Sequence, residues 1–244
     1  MLGIIIIPPV FGVSASTLGH AKRLRRLGFL VEVVDPYSGK RPPFFLAIIL
    51  AGTSSVNEKI KKLATSFSEL NLFNQIDFAS ASLREKGASQ IGIVSSGFGS
   101  NIALRFLEKR AKVEHVVLHA WFPHIPFPKG AEKYEHSDSI KDANLANLSK
   151  NIQMFFYYGD QDEQIEPENL AIVEEASKRF PNIHTIIYPR ADHAFDARCI
   201  QGYWPNTLYW NSRAARRAYR LSWENAVKDL LARSASLGKN SFSK

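Results

Sequence analysis

Residues 91–100, IGIVSSGFGS, set three hydroxyls around a glycine at what reads as a sharp corner of the chain. Four apolar or glycine residues run like a buried strand into small residues, and NIALRFLEKR follows with the composition of a helix. A strand-to-helix corner of this kind lifts its apex side chain clear of the backbone, where a hydroxyl or thiol can attack a carbonyl. The apex here is Gly97, which supplies no nucleophilic atom. Ser96 lies one residue before it and Ser100 three after it, so each is expected to point away from the direction the apex faces. Small residues such as Ser95, Ser96 and Ser100 also suit tight packing of a strand against a helix. The single thiol, Cys199, has no neighbour in the sequence that would activate it. His115 and His119 alternate onto one strand face, but His124, His184 and His193 follow no recognised ligand spacing, so neither a metal nor a cofactor is expected.

The elements that must hold such a corner alternate along the chain. GIIII (3–7) is a β-branched run ending in PPVFGVS, TLGHAKRLRRLG has helical spacing and stops at Gly28, and FLVEVVD (29–35) is a second strand. The stretch 36–55 fits no element clearly, and 56–86 has helical composition with Gly87 as its stop. QIGIVS, VEHVVLHA, IQMFFYYG and IHTIIYP then read as strands, with helices SNIALRFLEKR and NLAIVEEASKRF among them and a long closing helix over 207–234. Strands separated by helices, with near-continuous apolar cores, predict a mainly parallel sheet covered by helices on both faces. The 244 residues, 45% hydrophobic and without repeat or linker, suit one α/β domain over 1–244. MLGIIIIPP lacks a basic leader and a cleavage site, and Pro8 interrupts it too early for a membrane span, so it reads as a first buried strand. With one cysteine the chain fits a reducing, cytoplasmic compartment. The formal charge is +8, with basic clusters at 22–26 and at Arg213, Arg216, Arg217 and Arg220, the latter a single helical stripe. Neither a nucleic acid nor a membrane is expected as partner; a positive field favouring an anionic small molecule or protein is the plainer use.

Four segments together resemble the dienelactone hydrolase family of α/β-hydrolases over nearly the whole chain. PPVFGVS stands where the family has its oxyanion loop, and IGIVSSGFGSNIAL where it has the strand and nucleophile elbow. FFYYGDQDEQIEP stands where it has the acid-bearing turn, and RADHAFDAR where it has the histidine loop. The resemblance implies an α/β-hydrolase fold with reduced N-terminal strands, and it implies roles. Asp162 matches the triad carboxylate, with Asp160 two residues earlier as a rival, and His193 matches the triad histidine. Gly97 takes the place of the Cys or Ser nucleophile, and Pro9 takes that of a glutamate that partners the thiol in cysteine-bearing members. The backbone N–H groups of Val10 and Phe98 stand where the family forms its oxyanion hole. The family includes monomers and dimers, so no assembly state is implied.

The resemblance also places a set of substrate-facing side chains. Ser96 borders the corner, and His119, Trp121, Phe122 and His124 fall at the carboxyl edge of the sheet, where ligands bind in open α/β folds. Tyr203 and Trp204 join them from the loop beyond His193. These residues imply a pocket for a flat, conjugated or cyclic small molecule. With no nucleophile at 97, the remaining His–Asp pair implies non-covalent general acid–base chemistry on a lactone, cyclic ketone or polyketide-like carbonyl compound. The competing expectation is a pseudoenzyme that binds a ligand or partner and catalyses nothing.

Overall fold

The computed structural model describes residues 1–10, 12–38, 67–123, 144–162, 165, 167–192 and 213–240. Its strands are β1 (Leu2–Ile7), β2 (Leu30–Val33), β3 (Gln90–Ser96), β4 (His115–Trp121), β5 (Gln153–Gly159) and β6 (Ile183–Tyr188). The helices are α1 (Ala15–Arg26), α2 (Glu69–Glu85), α3 (Phe98–Arg110), α4 (Pro167–Arg179) and α5 (Arg213–Asn240). Among the described residues all six strands form one sheet, ordered β2-β1-β3-β4-β5-β6, and every pairing is parallel. β1 is buried along its whole length, as a parallel strand covered on both faces must be, whereas the edge strand β2 buries only Val31 fully. No described helix is long and apolar enough to cross a membrane.

The expected elements hold in type and drift at their ends. β2 is shorter than the apolar run 29–35, and of the stretch 56–86, expected as one helix or two, the described part is α2 from Glu69, with residues 56–66 outside the described set. The described closing helix starts at Arg213. Local chemistry accounts for several boundaries. Ser14 and Thr17 form a reciprocal capping box at the start of α1, and Ser68 accepts from the Asn71 N–H at the start of α2.

Strand order decides where a crevice opens. The chain runs from β1 outward to β2 and then returns past β1 to β3, so the winding direction reverses between β1 and β3. Right-handed crossovers then put α1 on one face and α2, α3 and α4 on the other. The first face is completed by α5, 28 residues and so about 42 Å long, which lies across β4, β3 and β1. Its Leu230 lies against the backbone of Gly92, where an added methyl carbon would come within 3.4 Å of the leucine. The carboxyl ends of β1 and β3 flank the reversal and are the natural ligand crevice of such a sheet.

Beneath α5 lies a buried polar chain. His119 is fully buried, and its Nε2 lies 3.1 Å from Asp229 on α5, while its Nδ1 lies 2.9 Å from the Tyr157 hydroxyl. A carboxylate can only accept, so Nε2–H donates to Asp229 and the neutral ring accepts from Tyr157 at Nδ1. Burial pushes the His119 imidazole down from its ordinary value, consistent with that neutral form. Arg233 clasps the same carboxylate through two hydrogen bonds of 2.7 and 3.0 Å. Burial alone would raise Asp229, but hydrogen bonds from His119 and Arg233 outweigh it and hold the carboxyl down at about 2. A carboxyl held below its ordinary value of 3.8 contributes fully above that pH, and the contribution disappears as pH falls toward about 2. Asp229→Asn is therefore expected to cost about 2 kcal/mol at neutral pH. Denaturant titrations of the variant and the parent should converge through that acid window; a gap that persists below it would contradict the pairing.

Candidate active site

The corner foreseen at Gly97 is present. β3 ends at Ser96, α3 begins at Phe98, and Gly97 between them has φ 50° and ψ −123°. That region strains any residue with a Cβ, by about 1–3 kcal/mol, and glycine occupies it freely. Two hydrogen bonds to one carbonyl fasten the bend to the end of β4. The Gly97 N–H and the Ser100 hydroxyl both donate to the Trp121 oxygen, at 2.8 and 2.9 Å. Among the described residues, a Cβ built at 97 would meet only Pro9 Cβ, at 3.8 Å. Gly99 is held by a different constraint: a Cβ there would sit 2.3 Å from the Pro8 oxygen and 2.5 Å from the Ile7 oxygen.

Val10 and Phe98 flank this corner. α3 has no side-chain cap; the Ser100 N–H donates back to the Gly97 oxygen at 2.8 Å, whereas the Phe98 N–H, at the first helical position, precedes any intrahelical acceptor. The loop after β1 turns tightly, with the Gly12 N–H donating to the Pro9 oxygen at 2.8 Å. The Tyr37 hydroxyl donates to the Val10 oxygen, and its ring covers Gly12, where a Cβ would come within 2.8 Å of the aromatic edge. Phe67 packs against both Tyr37 and Phe98, at centroid separations of 5.1 and 5.2 Å. Tyr37 thus ties the first loop to the start of α3, and burial pushes its phenol well above the ordinary value, keeping it a donor. Nothing in the sequence marks this residue, which stands beside the Pro-rich stretch that has no clear pattern.

The acid-bearing turn follows β5. Asp162 is 7% exposed, and its Oδ1 accepts from the Ile165 N–H at 3.1 Å. Asp160 is exposed, and its carboxylate accepts from the Arg190 N–H beyond β6. The Asp160 and Gln161 N–H groups donate to the oxygens of Tyr188 and Ala191, each at 3.1 Å. Gly159 permits this approach, since a Cβ there would lie 2.0 Å from the Ala191 oxygen. The two carboxylates therefore differ in environment: one secures the turn from outside, the other is enclosed by it. His193, His124, Tyr203 and Trp204 lie outside the described residues.

His119 corrects an expectation. It is not a substrate-facing residue at the sheet edge, because strand alternation turns it beneath α5, where both ring nitrogens are engaged by Asp229 and Tyr157. Trp121 and Phe122 are also buried, at 0% and 1% exposure. Trp121 stacks between Tyr157 and Trp223 and donates its indole N–H to Ser222 at 3.0 Å, while Phe122 has φ 51° and donates its N–H to the Tyr157 oxygen. Ser95 and Ser100 are buried with their hydroxyls turned to the carbonyls of His119 and Trp121. Ser96 differs from them in being half-buried, on the wall of a recess that also includes Trp121 and Trp223. His115 is buried against Ser80 and Phe106, and among the described residues no group of three or more His, Cys, Asp or Glu could hold a metal ion.

The comparisons agree with this fold. The family model described as "Dienelactone hydrolase family" matches residues 1–233. A solved structure named for dienelactone hydrolase, from Klebsiella pneumoniae subsp. pneumoniae, superposes with a TM-score of 0.71 and 16% identity over 94% of this chain and 86% of that one. A dienelactone hydrolase-like promiscuous phosphotriesterase from metagenomic libraries does so at 0.60 and 14%, covering 95% and 86% of the two chains. The carboxylesterase Cest-2923 of Lactobacillus plantarum WCFS1 does so at 0.59 and 13%, covering 96% and 86%. At these identities the likeness establishes the α/β-hydrolase fold and not a substrate. No curated protein sequence matches the chain.

The two corner glycines should respond differently to a methyl group. Gly97→Ala is expected to fold, at a cost of about 1–3 kcal/mol for the backbone angle alone. Gly99→Ala must separate α3 from the end of β1 and should cost clearly more. Equal losses in chemical denaturation would show that packing at 99 does not set the corner.

Proposed function

Because this chain belongs to the dienelactone hydrolase family, we propose that it is an enzyme acting on a small lactone, cyclic ketone or polyketide-like carbonyl compound by non-covalent acid–base chemistry. The observation that carries this reading is Gly97: the bend keeps a nucleophile's geometry and has no atom to form an ester. His193 moves the proton and Asp162 holds its imidazole in one tautomer. The burial of Asp162 supports its choice over Asp160, whose carboxylate is exposed and engaged by the Arg190 N–H. The pairing of Asp162 with His193 rests on the family's order of corner, carboxylate and histidine.

Two courses follow for such a pair. In hydrolysis, water beside Gly97 attacks the carbonyl carbon while His193 takes its proton. The imidazolium then returns that proton to the leaving oxygen as the tetrahedral intermediate collapses. In enolisation, cyclisation or dehydration, His193 removes a proton beside the carbonyl, and the C–H electron pair becomes a C=C bond as the carbonyl π pair moves onto the oxygen. The imidazolium then returns the proton to the enolate at oxygen or carbon or, in cyclisation, to the new alkoxide formed once the enolate carbon has attacked a second carbonyl. In dehydration it returns the proton to the departing hydroxide, which leaves as water. The N–H groups of Val10 and Phe98 receive the carbonyl oxygen in either course. Loss of a covalent intermediate is costly for ester hydrolysis and of little consequence for direct proton transfer, so the second course suits this corner better. A binding role without catalysis is the competing reading, and the same glycine favours it.

A panel of lactones, enolisable ketones and esters separates these readings. Turnover that falls by about 10²–10⁴ in His193→Ala, and also falls in Asp162→Asn, is the expected result. No phosphonylating or acylating probe should label residues 95–100. An adduct on Ser96 would restore covalent catalysis, and a panel without any His193-dependent turnover would leave the binding protein.

A further inference from the structure

Cations are placed differently on the two faces of the sheet. On the side of α2 and α3, Arg105 reaches Glu69 at 3.0 Å, Arg110 reaches Asp77 at 2.9 Å and Arg84 reaches Glu114 at 3.1 Å. On the other side, Arg213, Arg216, Arg217 and Arg220 of α5 are all exposed. Among the described residues the first three make no ion pair, and Arg220 has only Glu224, at 3.9 Å and with both side chains more than half exposed. α1 packs alongside, its His20 stacked on Trp223 at 3.8 Å and tilted against Tyr219 at 6.0 Å. Helical spacing puts 216, 219, 220 and 223 on one side of α5, so Arg216 and Arg220 border the seam between the two helices. Arg23, one turn beyond His20 and also exposed, borders it from α1.

This spacing has a cost. Arg213 and Arg220 each stand three or four residues from both Arg216 and Arg217, and the first acid on α5 is Glu224. Like charges at that separation repel and weaken a helix. The cations of α1 have a use within the fold: Arg23, Arg25 and Arg26 occupy its last turn, where the dipole favours them, and Arg25 donates to the Val31 oxygen at 2.8 Å. No contact among the described residues gives the α5 arginines such a use. A row of like charges that the fold does not neutralise is complementary to anions from outside the chain.

The character of the face selects among anions. From 213 to 228 every exposed residue of α5 is polar or charged, and α1 exposes a single leucine, Leu18, so there is little to bury in a bilayer. Trp223 is 3% exposed and Tyr219 is half-buried, which leaves no open ring on which a base could stack. What remains is a straight row of guanidinium groups that advances about 4.5–6 Å at each step. Carboxylates three or four residues apart on a second helix repeat at the same interval, and the arginine fork pairs with a carboxylate through two hydrogen bonds.

We propose that the α1 and α5 face docks an acidic helix of a partner protein, with Arg216, Arg217 and Arg220 pairing with a row of its carboxylates. The surface stands apart from the acid–base reading, and no turnover is needed to test it.

Fluorescence anisotropy on the full chain measures the docking with a labelled alanine-rich peptide whose glutamates, three and four residues apart, form a single row. A peptide of the same composition with its glutamates spread around the helix is the reference. The row should bind more tightly than the reference, and added salt should weaken it. Arg216→Gln/Arg217→Gln/Arg220→Gln should reduce the affinity by about tenfold or more, and Lys109→Gln/Lys150→Gln/Lys178→Gln, which removes equal charge from exposed sites elsewhere, by about twofold or less. All six positions are exposed, so both variants should keep the parent's circular dichroism spectrum. Equal losses in the two variants, or equal binding of the two peptides, would reduce the face to unspecific net charge. Tighter binding of oligothymidylate, or of phosphatidylcholine vesicles containing phosphatidylserine, through the same arginines would overturn the acidic helix in favour of a nucleic acid or a membrane.

Discussion

The first turn of α3 lies against the carbonyl oxygens of Ile7 and Pro8 with no room for a methyl group between them. That contact, possible only because residue 99 is glycine, sets the height of the corner relative to the end of β1. The N–H groups of Val10 and Phe98 take their positions from the two elements it joins. Gly97 obeys a weaker rule, since among the described residues nothing crowds an added Cβ there and its backbone angle is what favours glycine. The scaffold of the corner therefore depends on packing at 99 and on hydrogen bonds to Trp121, none of which involves a side chain at the apex. A turn held in this way needs no side chain at its apex to keep its shape.

The two faces of the sheet support the corner by different means. On the face of α2 and α3, Arg105 bridges Glu69 and Glu108, and Asp77 holds both Arg110 and Lys112, so the helices are linked by ions. On the opposite face an aromatic column does the joining. His20, Trp223, Trp121 and Tyr157 stack in sequence from α1 through α5 to β4 and β5. Trp121 belongs to both systems: its ring is part of the column, and its carbonyl receives the bend. Planar groups stacked in this way resist sliding, which gives the bend a rigid floor.

Much of this was legible in the residues. β1, β3 and β5 announce themselves as unbroken apolar runs because both of their faces are covered, and the corner at 97 follows from small residues between a strand and a helix. What the sequence concealed depends on contacts between distant segments. Alternation puts His119 and Trp121 on one side of β4, but it does not say that α5 returns across that side with Asp229 and Trp223. Tyr37 escaped for a related reason: its role arises from a hydrogen bond to a residue 27 positions earlier, and the local pattern around it is weak. Asp160 and Asp162 are alike in the sequence and separate only when the turn is folded onto the strand beside it.

The charges of the two helical layers have a consequence for the molecule as a body. α1 and α5 together hold nine more cations than acids, while α2, α3 and α4 sum to a single negative charge. Among the described helices the charge is therefore uneven across the sheet, with the α1 and α5 face the cationic one. A field set by such helices alone would favour anions on the α1 and α5 side over the other. Such a field bears on the orientation of an approaching acidic surface, and not only on its attraction.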